Sequence, residues 1–189
     1  KAIELSKAEY FCCLDSDDAI YSENSIEEIF RKDIQILNDS KIIGLRYLAY
    51  SNVKKTFDGT KISDDIAIMS WFEDFSNPSN FGERIDIFKT DLLKKYLFPV
   101  EDGLKFIPEF WFYVKVSADG YNFAYMPNAL RLFYDDAVDN RLSRSSIQKH
   151  AKGHYLTRSA MLKLIPLKFF LRNKIAFIKT LIRFIQCCN

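Results

Sequence analysis

The chain has 189 residues, a formal net charge of +2, 48% hydrophobic and 15% aromatic residues. That balance fits one globular α/β-sized chain with a real core and excludes a disordered or collagen-like polypeptide. Its six glycines form no Gly-rich fingerprint, which excludes a P-loop or a dinucleotide-binding turn.

The apolar run Tyr10-Phe11-Cys12-Cys13-Leu14 leads straight into Asp15, Asp17 and Asp18. So short a run reads as a buried strand, with Cys12 and Cys13 as packing residues. A strand ending in acids delivers them to the rim of a sheet, where α/β proteins bind ligands. Carboxylates this close repel one another unless a cation sits among them. Their oxygens suit Mg2+ or Mn2+, which are held by one or two carboxylates plus substrate phosphates. An EF-hand is excluded: counted from Asp15, its Gly and Glu positions hold Ile20 and Ile26. Ser25 and Glu28 fit a capping box, and Ile26, Ile29, Phe30, Ile34 and Leu37 follow at helical spacing. A second strand is expected over Ile42 to Tyr50. Asp58-Gly59 reads as a hairpin turn. It is not a phosphatase nucleophile loop, because Thr56 stands where such a loop needs Asp.

Further along, Glu109 lies between Phe106-Ile107-Pro108 and Phe110-Trp111-Phe112. Desolvation there would raise its pKa towards that of a general base. The competing reading is that Glu109 simply begins a helix after Pro108. Glu101 and Asp102 compete with it for the base role but, in a more polar turn, read with Trp111 as acceptor-side residues, or else as a solvated loop. His150 and His154 stand four apart and read as a surface pair. The adjacent pairs Cys12-Cys13 and Cys187-Cys188 suit neither a disulfide nor a Cys-x-x-Cys metal site, so a reducing compartment is expected.

Charge is unevenly placed. From Asn140 to the end there are eleven Lys and Arg and no acid, leaving −9 for the rest. Such a block points to a polyanionic partner. No nucleic-acid-binding signature accompanies it, so no nucleic acid is expected. Read as one helix from Leu167 to Gln186, the tail gathers Lys168, Arg172, Lys179 and Arg183 within about a 60° arc opposite an apolar side. Pro166 separates it from a preceding helix near Ser145 to Leu164. No run of 18 apolar residues exists, so the match is an amphipathic helix lying on an anionic membrane surface. Alternatively, its apolar side packs on the domain.

The segment from Lys1 to Asp18 resembles the helix, strand and Asp-x-Asp of family 2 glycosyltransferases with the GT-A fold. Gly82 to Phe88 with Leu92 to Pro99 resembles the family's strand and short helix ahead of the acceptor region. Glu101 to Glu109 resembles the segment with its catalytic acid. Tyr121 to Tyr134, then Asn140-Arg141-Leu142-Ser143-Arg144, resembles its closing strands and Ser-containing loop. The resemblance implies a partial GT-A fold over 1–146, a mixed sheet flanked by helices, followed by a basic helical tail over 147–189. The family's nucleotide-binding strands would precede Lys1, so the match is to the C-terminal two-thirds of such a domain. It implies a metal-assisted, inverting transfer from a nucleotide-sugar donor, a UDP-sugar before others, to a glycan or lipid-linked acceptor. Asp17 would bind the metal, Asp15 the metal or the donor, Asp18 the donor or the loop, and Glu109 would be the base. The family's processive members carry Gln-x-x-Arg-Trp, which this chain lacks, so a single transfer is expected. With no leader-like start, the expected place is cytoplasmic, at the inner face of the membrane. Two other readings remain open: an inactive remnant that binds a membrane or protein, and a metal-dependent phosphoryl-transfer enzyme.

Overall fold

The computed structural model describes residues 1–134 and 147–188. The Asn140–Arg144 segment and Ser145, the expected start of the helix before Pro166, lie outside them. The described residues form two compact units interleaved along the chain: 1–70, 79–95 and 121–134 in the first, and 71–78, 96–120 and 147–188 in the second.

The first unit is built on a mixed seven-stranded sheet of order β1-β6-β3-β7-β2, with β4 added to β3 and β5 to β7. The strands are β1 (Tyr10–Cys12), β2 (Ala19–Ile20), β3 (Ile42–Ser51), β4 (Phe57–Asp58), β5 (Ala67–Met69), β6 (Arg84–Lys89) and β7 (Asn122–Phe133). β3 and β7 run parallel at the centre, and the other pairs are antiparallel. β3 is the expected second strand, and its apolar run is buried almost throughout. Leu45 and Ala49 are fully buried, and each such leucine contributes about 2 kcal/mol by leaving water. Gly44 is required here, because a Cβ would lie 2.9 Å from the Ile87 carbonyl oxygen. The region expected as closing strands is one long strand, β7. Its register shifts against β3 around Pro127, as a bulge accommodates a residue with no ladder N–H.

Three local expectations change. β1 is an edge strand rather than a buried one, paired among the described residues with β6 alone, and Cys12 and Cys13 are exposed instead of packed. The segment after the acids opens with α2 (Ser25–Glu28), whose N-cap is Asn24 without a side-chain bond, so the Ser25 capping box does not form. A wide π-type turn over Ile29–Asp33 and a tight 3-10 turn over Ile34–Asn38 follow. These turns place Ile29 and Leu37 in the core and leave Ile26 and Phe30 exposed. Two long-range bonds fix that path: Tyr47 donates to Asp33 Oδ2 at 2.8 Å, and Lys89 Nζ donates to the Leu37 carbonyl at 2.9 Å. Burial first, then the bond to Asp33, holds the Tyr47 phenol above its usual pKa. Finally, Asp58-Gly59 ends β4 instead of turning a hairpin. Gly59 (φ 113°) and Gly82 (φ 106°) meet so closely that a Cβ on either would strike the other's backbone.

The second unit is helical: α3 (Trp71–Ser76), α5 (Phe110–Ala118), α6 (Ala151–Leu164), α7 (Leu167–Arg172) and α8 (Lys174–Cys188). (α1 (Ala2–Leu5) and α4 (Thr90–Leu93) belong to the first unit.) Trp71 organises it, donating its backbone N–H to Ser117 Oγ at 3.0 Å and stacking on Phe75 and Tyr113. α6 approaches through Gly153, where a Cβ would fall 1.8 Å from the Phe106 carbonyl oxygen. His150 is buried and His154 half-buried against Phe106, so they are packing residues and not the expected surface pair. Pro166 separates α6 from α7, as expected. The tail is not one helix: the chain breaks at Asn173 (φ −123°, ψ 70°). Asn173 Oδ1 caps α8 by accepting the Ala176 N–H at 3.1 Å, while its Nδ2 donates to the Phe75 carbonyl at 2.8 Å.

Candidate functional site

The acidic loop spans the gap between β1 and β2 at the rim of the sheet. The Asp18 N–H donates to the Asp15 carbonyl at 3.1 Å, closing a turn that turns all three carboxylates towards one another. Each of Asp15, Asp17 and Asp18 offers an oxygen within 4.8 Å of the others. The three differ in environment. The Asp18 side chain is 1% exposed and held by Arg131 of β7 through Nε and Nη2, while its other oxygen accepts the Tyr134 N–H at 3.1 Å. Asp15 is 63% exposed and receives Arg131 Nη2 at 2.9 Å. Asp17 is exposed and has no hydrogen-bond partner among the described residues.

Arg131 is therefore the hub. It also reaches Glu83 at 3.5 Å through Nη1 and lies over the Phe133 ring at 5.0 Å. One guanidinium meets three carboxylates, Asp15, Asp18 and Glu83, and Asp17 adds a further acid to the loop, so the loop keeps an excess of negative charge. The donor set fits a hard divalent cation: all oxygen, the ligand atoms within 4.8 Å of one another, and in Asp17 a carboxylate without a partner among the described residues. Asp15 and Asp17 could hold such an ion. Asp18 is already committed to Arg131, in keeping with a loop-bonding role.

Arg131, Glu83 and Tyr134 escaped the sequence reading. A signal existed: Arg131 interrupts the apolar strand Leu130-Arg131-Leu132-Phe133, and a cation there needs a buried acid. β3 repeats the device, with Arg46 Nε 3.0 Å from Asp86 Oδ1 and both side chains buried.

Glu109 lies in the helical unit, at the N-cap of α5, with no side-chain cap bond. It is exposed, so its apolar sequence neighbours do not desolvate it. Trp111 also departs from expectation. It is buried, tilted against Phe98 at 5.4 Å with Lys115 Nζ over its ring, which makes it core and not an acceptor surface. Glu101 pairs with Lys152 at 2.6 Å in an exposed setting, and Asp102 is exposed beside it. Lys168, Arg172, Lys179 and Arg183 are all exposed, but the break at Asn173 puts the first two on α7 and the last two on α8. Among the described residues no helix is long and apolar enough to cross a membrane.

No protein-family model matches the sequence, and no curated protein matches it. Solved structures do. The crystal structure of Staphylococcus aureus TarS residues 1–349 with UDP-GlcNAc superposes with a TM-score of 0.60 at 14% identity, over 86% of this chain and 45% of TarS. TarS 1–349 alone gives 0.56 at 15% identity over 98% and 48%, and its UDP complex gives 0.54 at 15% over 86% and 44%. The chain thus spans less than half the length of the TarS chains it matches. At these identities the likeness is one of fold, and it is the partial GT-A glycosyltransferase fold that this chain shares with TarS.

Proposed function

We propose that the chain is part of a metal-assisted glycosyltransferase that moves one sugar from a nucleotide-sugar donor to a glycan or lipid-linked acceptor. The carrying observation is the acid loop, with Asp18 locked to Arg131 and Asp17 without a partner among the described residues, at the rim of a sheet shared with a UDP-GlcNAc-binding structure. The TarS complexes favour a uridine diphosphate sugar as donor. Asp17 and Asp15 would hold Mg2+ or Mn2+, which when bound neutralises charge on the departing diphosphate. Arg131 fixes Asp15 and Asp18, so the loop is set before donor arrives and little ordering is needed on binding. Glu109 would accept the proton of the acceptor hydroxyl as that oxygen bonds to the anomeric carbon and the bond to the diphosphate oxygen breaks. Attack opposite the leaving group inverts the anomeric configuration. The likeness of fold and the position of Glu109 after the Glu101–Pro108 segment support that role.

The test begins with metal alone. Mn2+ titrated into the chain and followed by electron paramagnetic resonance should show a site that Asp17→Ala weakens at least tenfold, since even outer-shell partners of a metal cost roughly 10–100-fold. UDP-GlcNAc binding should then depend on Mn2+ in the parent and lose that dependence in the variant. Unchanged Mn2+ affinity in a folded Asp17→Ala chain would remove the metal role.

A further inference from the structure

The unexplained surface lies on α8. Its inward side is already satisfied within its own unit: Thr180 is 1% exposed, Phe177 packs on Phe170 at 4.8 Å, and Phe184 stacks on Tyr155 at 5.4 Å. On another side, Ile175, Ile178, Ile182 and Ile185 are 50–63% exposed and Leu181 is 37% exposed. At helical spacing these five form one stripe about 120° wide. Lys174 lies within that stripe, Lys179 about 40° beyond its edge and Arg183 about 80° beyond it, from where its long side chain can reach back. Four exposed isoleucines in a row are not the scattered apolar residues of an ordinary surface.

We infer that this stripe docks on an anionic lipid surface, with the isoleucines entering the headgroup boundary and Lys174, Lys179 and Arg183 engaging lipid phosphates. Charge decides the occupant. Residues 147–188 carry nine Lys and Arg and no acid. A second copy would bring an equally positive stripe against the first, whereas an anionic bilayer is complementary both to the cations and to the isoleucines between them. Length decides the mode. Fifteen residues of helix measure about 22 Å, short of the roughly 30 Å hydrocarbon core, so α8 can lie in the interface but not span it. The break at Asn173 makes this possible, because it detaches α8 from the direction of α7 and leaves the isoleucine side uncovered by its own unit. The contact surface therefore differs from a single cationic arc through Lys168 and Arg172: apolar insertion by α8 is its centre. The inference rests on the tail alone and stands whether or not the chain transfers sugar.

The test is flotation of the full 189-residue chain with vesicles of phosphatidylcholine, with and without phosphatidylglycerol. Two triple variants are compared: Ile178→Ser/Ile182→Ser/Ile185→Ser, and Lys174→Gln/Lys179→Gln/Arg183→Gln. The parent should float with the anionic vesicles only. The charge variant should lose about a hundredfold in partitioning, at about one decade for every 1.4 kcal/mol and about 1 kcal/mol per cation. The serine variant should fail to bind while melting at the parental temperature, since all three positions are exposed. A parent that stays with the protein fraction overturns the inference. So does a parent that sediments as a dimer and becomes monomeric in the serine variant, which would assign the stripe to a second copy. Should the serine variant melt early, the charge variant alone decides: parental binding by it overturns the inference.

Discussion

Replacing Arg131 with Met should destabilise the protein more than any other single change at the acid loop. The guanidinium is 10% exposed and the Asp18 side chain 1%. Without the guanidinium, Asp18 keeps, among the described residues, only the Tyr134 N–H at 3.1 Å. A buried carboxylate stripped of its cation costs about 3–5 kcal/mol. Asp15 at 63% exposure and Glu83 at 52% regain water, so their lost pairings add well under about 1 kcal/mol each. A loss near 4 kcal/mol should lower the melting temperature by about 8–16 °C in a chain of this size. Urea and thermal unfolding by circular dichroism, at fixed ionic strength, measure it. Arg131→Met combined with Asp18→Asn should recover a large part of the loss, since no buried charge then remains. If Arg131→Met unfolds within about 1 kcal/mol of the parent, or the double variant is no more stable than the single, the buried-pair reasoning fails.

Glu109→Gln keeps the shape at the N-cap of α5 but cannot take a proton, so transfer should fall roughly 10²–10⁴-fold with donor affinity near parental; an active variant would send the role to Glu101 or Asp102. Gly153→Ala should cost about 1–3 kcal/mol through the collision with the Phe106 carbonyl, outweighing the roughly 1 kcal/mol gain in helix propensity; a melting point at or above the parental one counts against that packing. Burial first, then Arg158, His150 and Arg183, holds the His154 imidazole below its usual 6.5. The unfolded chain then takes up the proton first, so this stability is complete above pH 6.5 and is lost as pH falls through the folded value. His154→Gln should flatten the stability profile in that window, and an unchanged profile from pH 7 to 5 would clear His154 of the effect.

What the sequence made legible follows from how local each feature is. The run Ile42 to Tyr50 of β3, apolar apart from Arg46, belongs in the middle of a sheet, and there it sits. The junction of β1 with the three acids was readable because carboxylates terminate strands. Which strand formed the edge was not, because Tyr10 to Leu14 looks as apolar as β3 and edge position depends on pairing with β6, far along the chain. Glu109 shows the limit of reading burial from neighbours: α5 turns its Trp111 and Phe112 inwards and leaves the residue that opens the helix outside. The tail misled for a related reason. A helical wheel runs smoothly through Asn173, and only the Phe75 carbonyl, a hundred residues away in sequence, draws that side chain out of line.

The bond between Arg131 and Asp18 joins residues 113 positions apart. During synthesis at about 5–20 residues per second, the three acids leave the ribosome on the order of ten seconds before the cation that neutralises them. Until β7 arrives, β2 has no strand to pair with and the carboxylates repel. Closing so distant a contact is slow, because the loop entropy must be met first. The acid loop is therefore the last part of the sheet to take shape on a nascent chain.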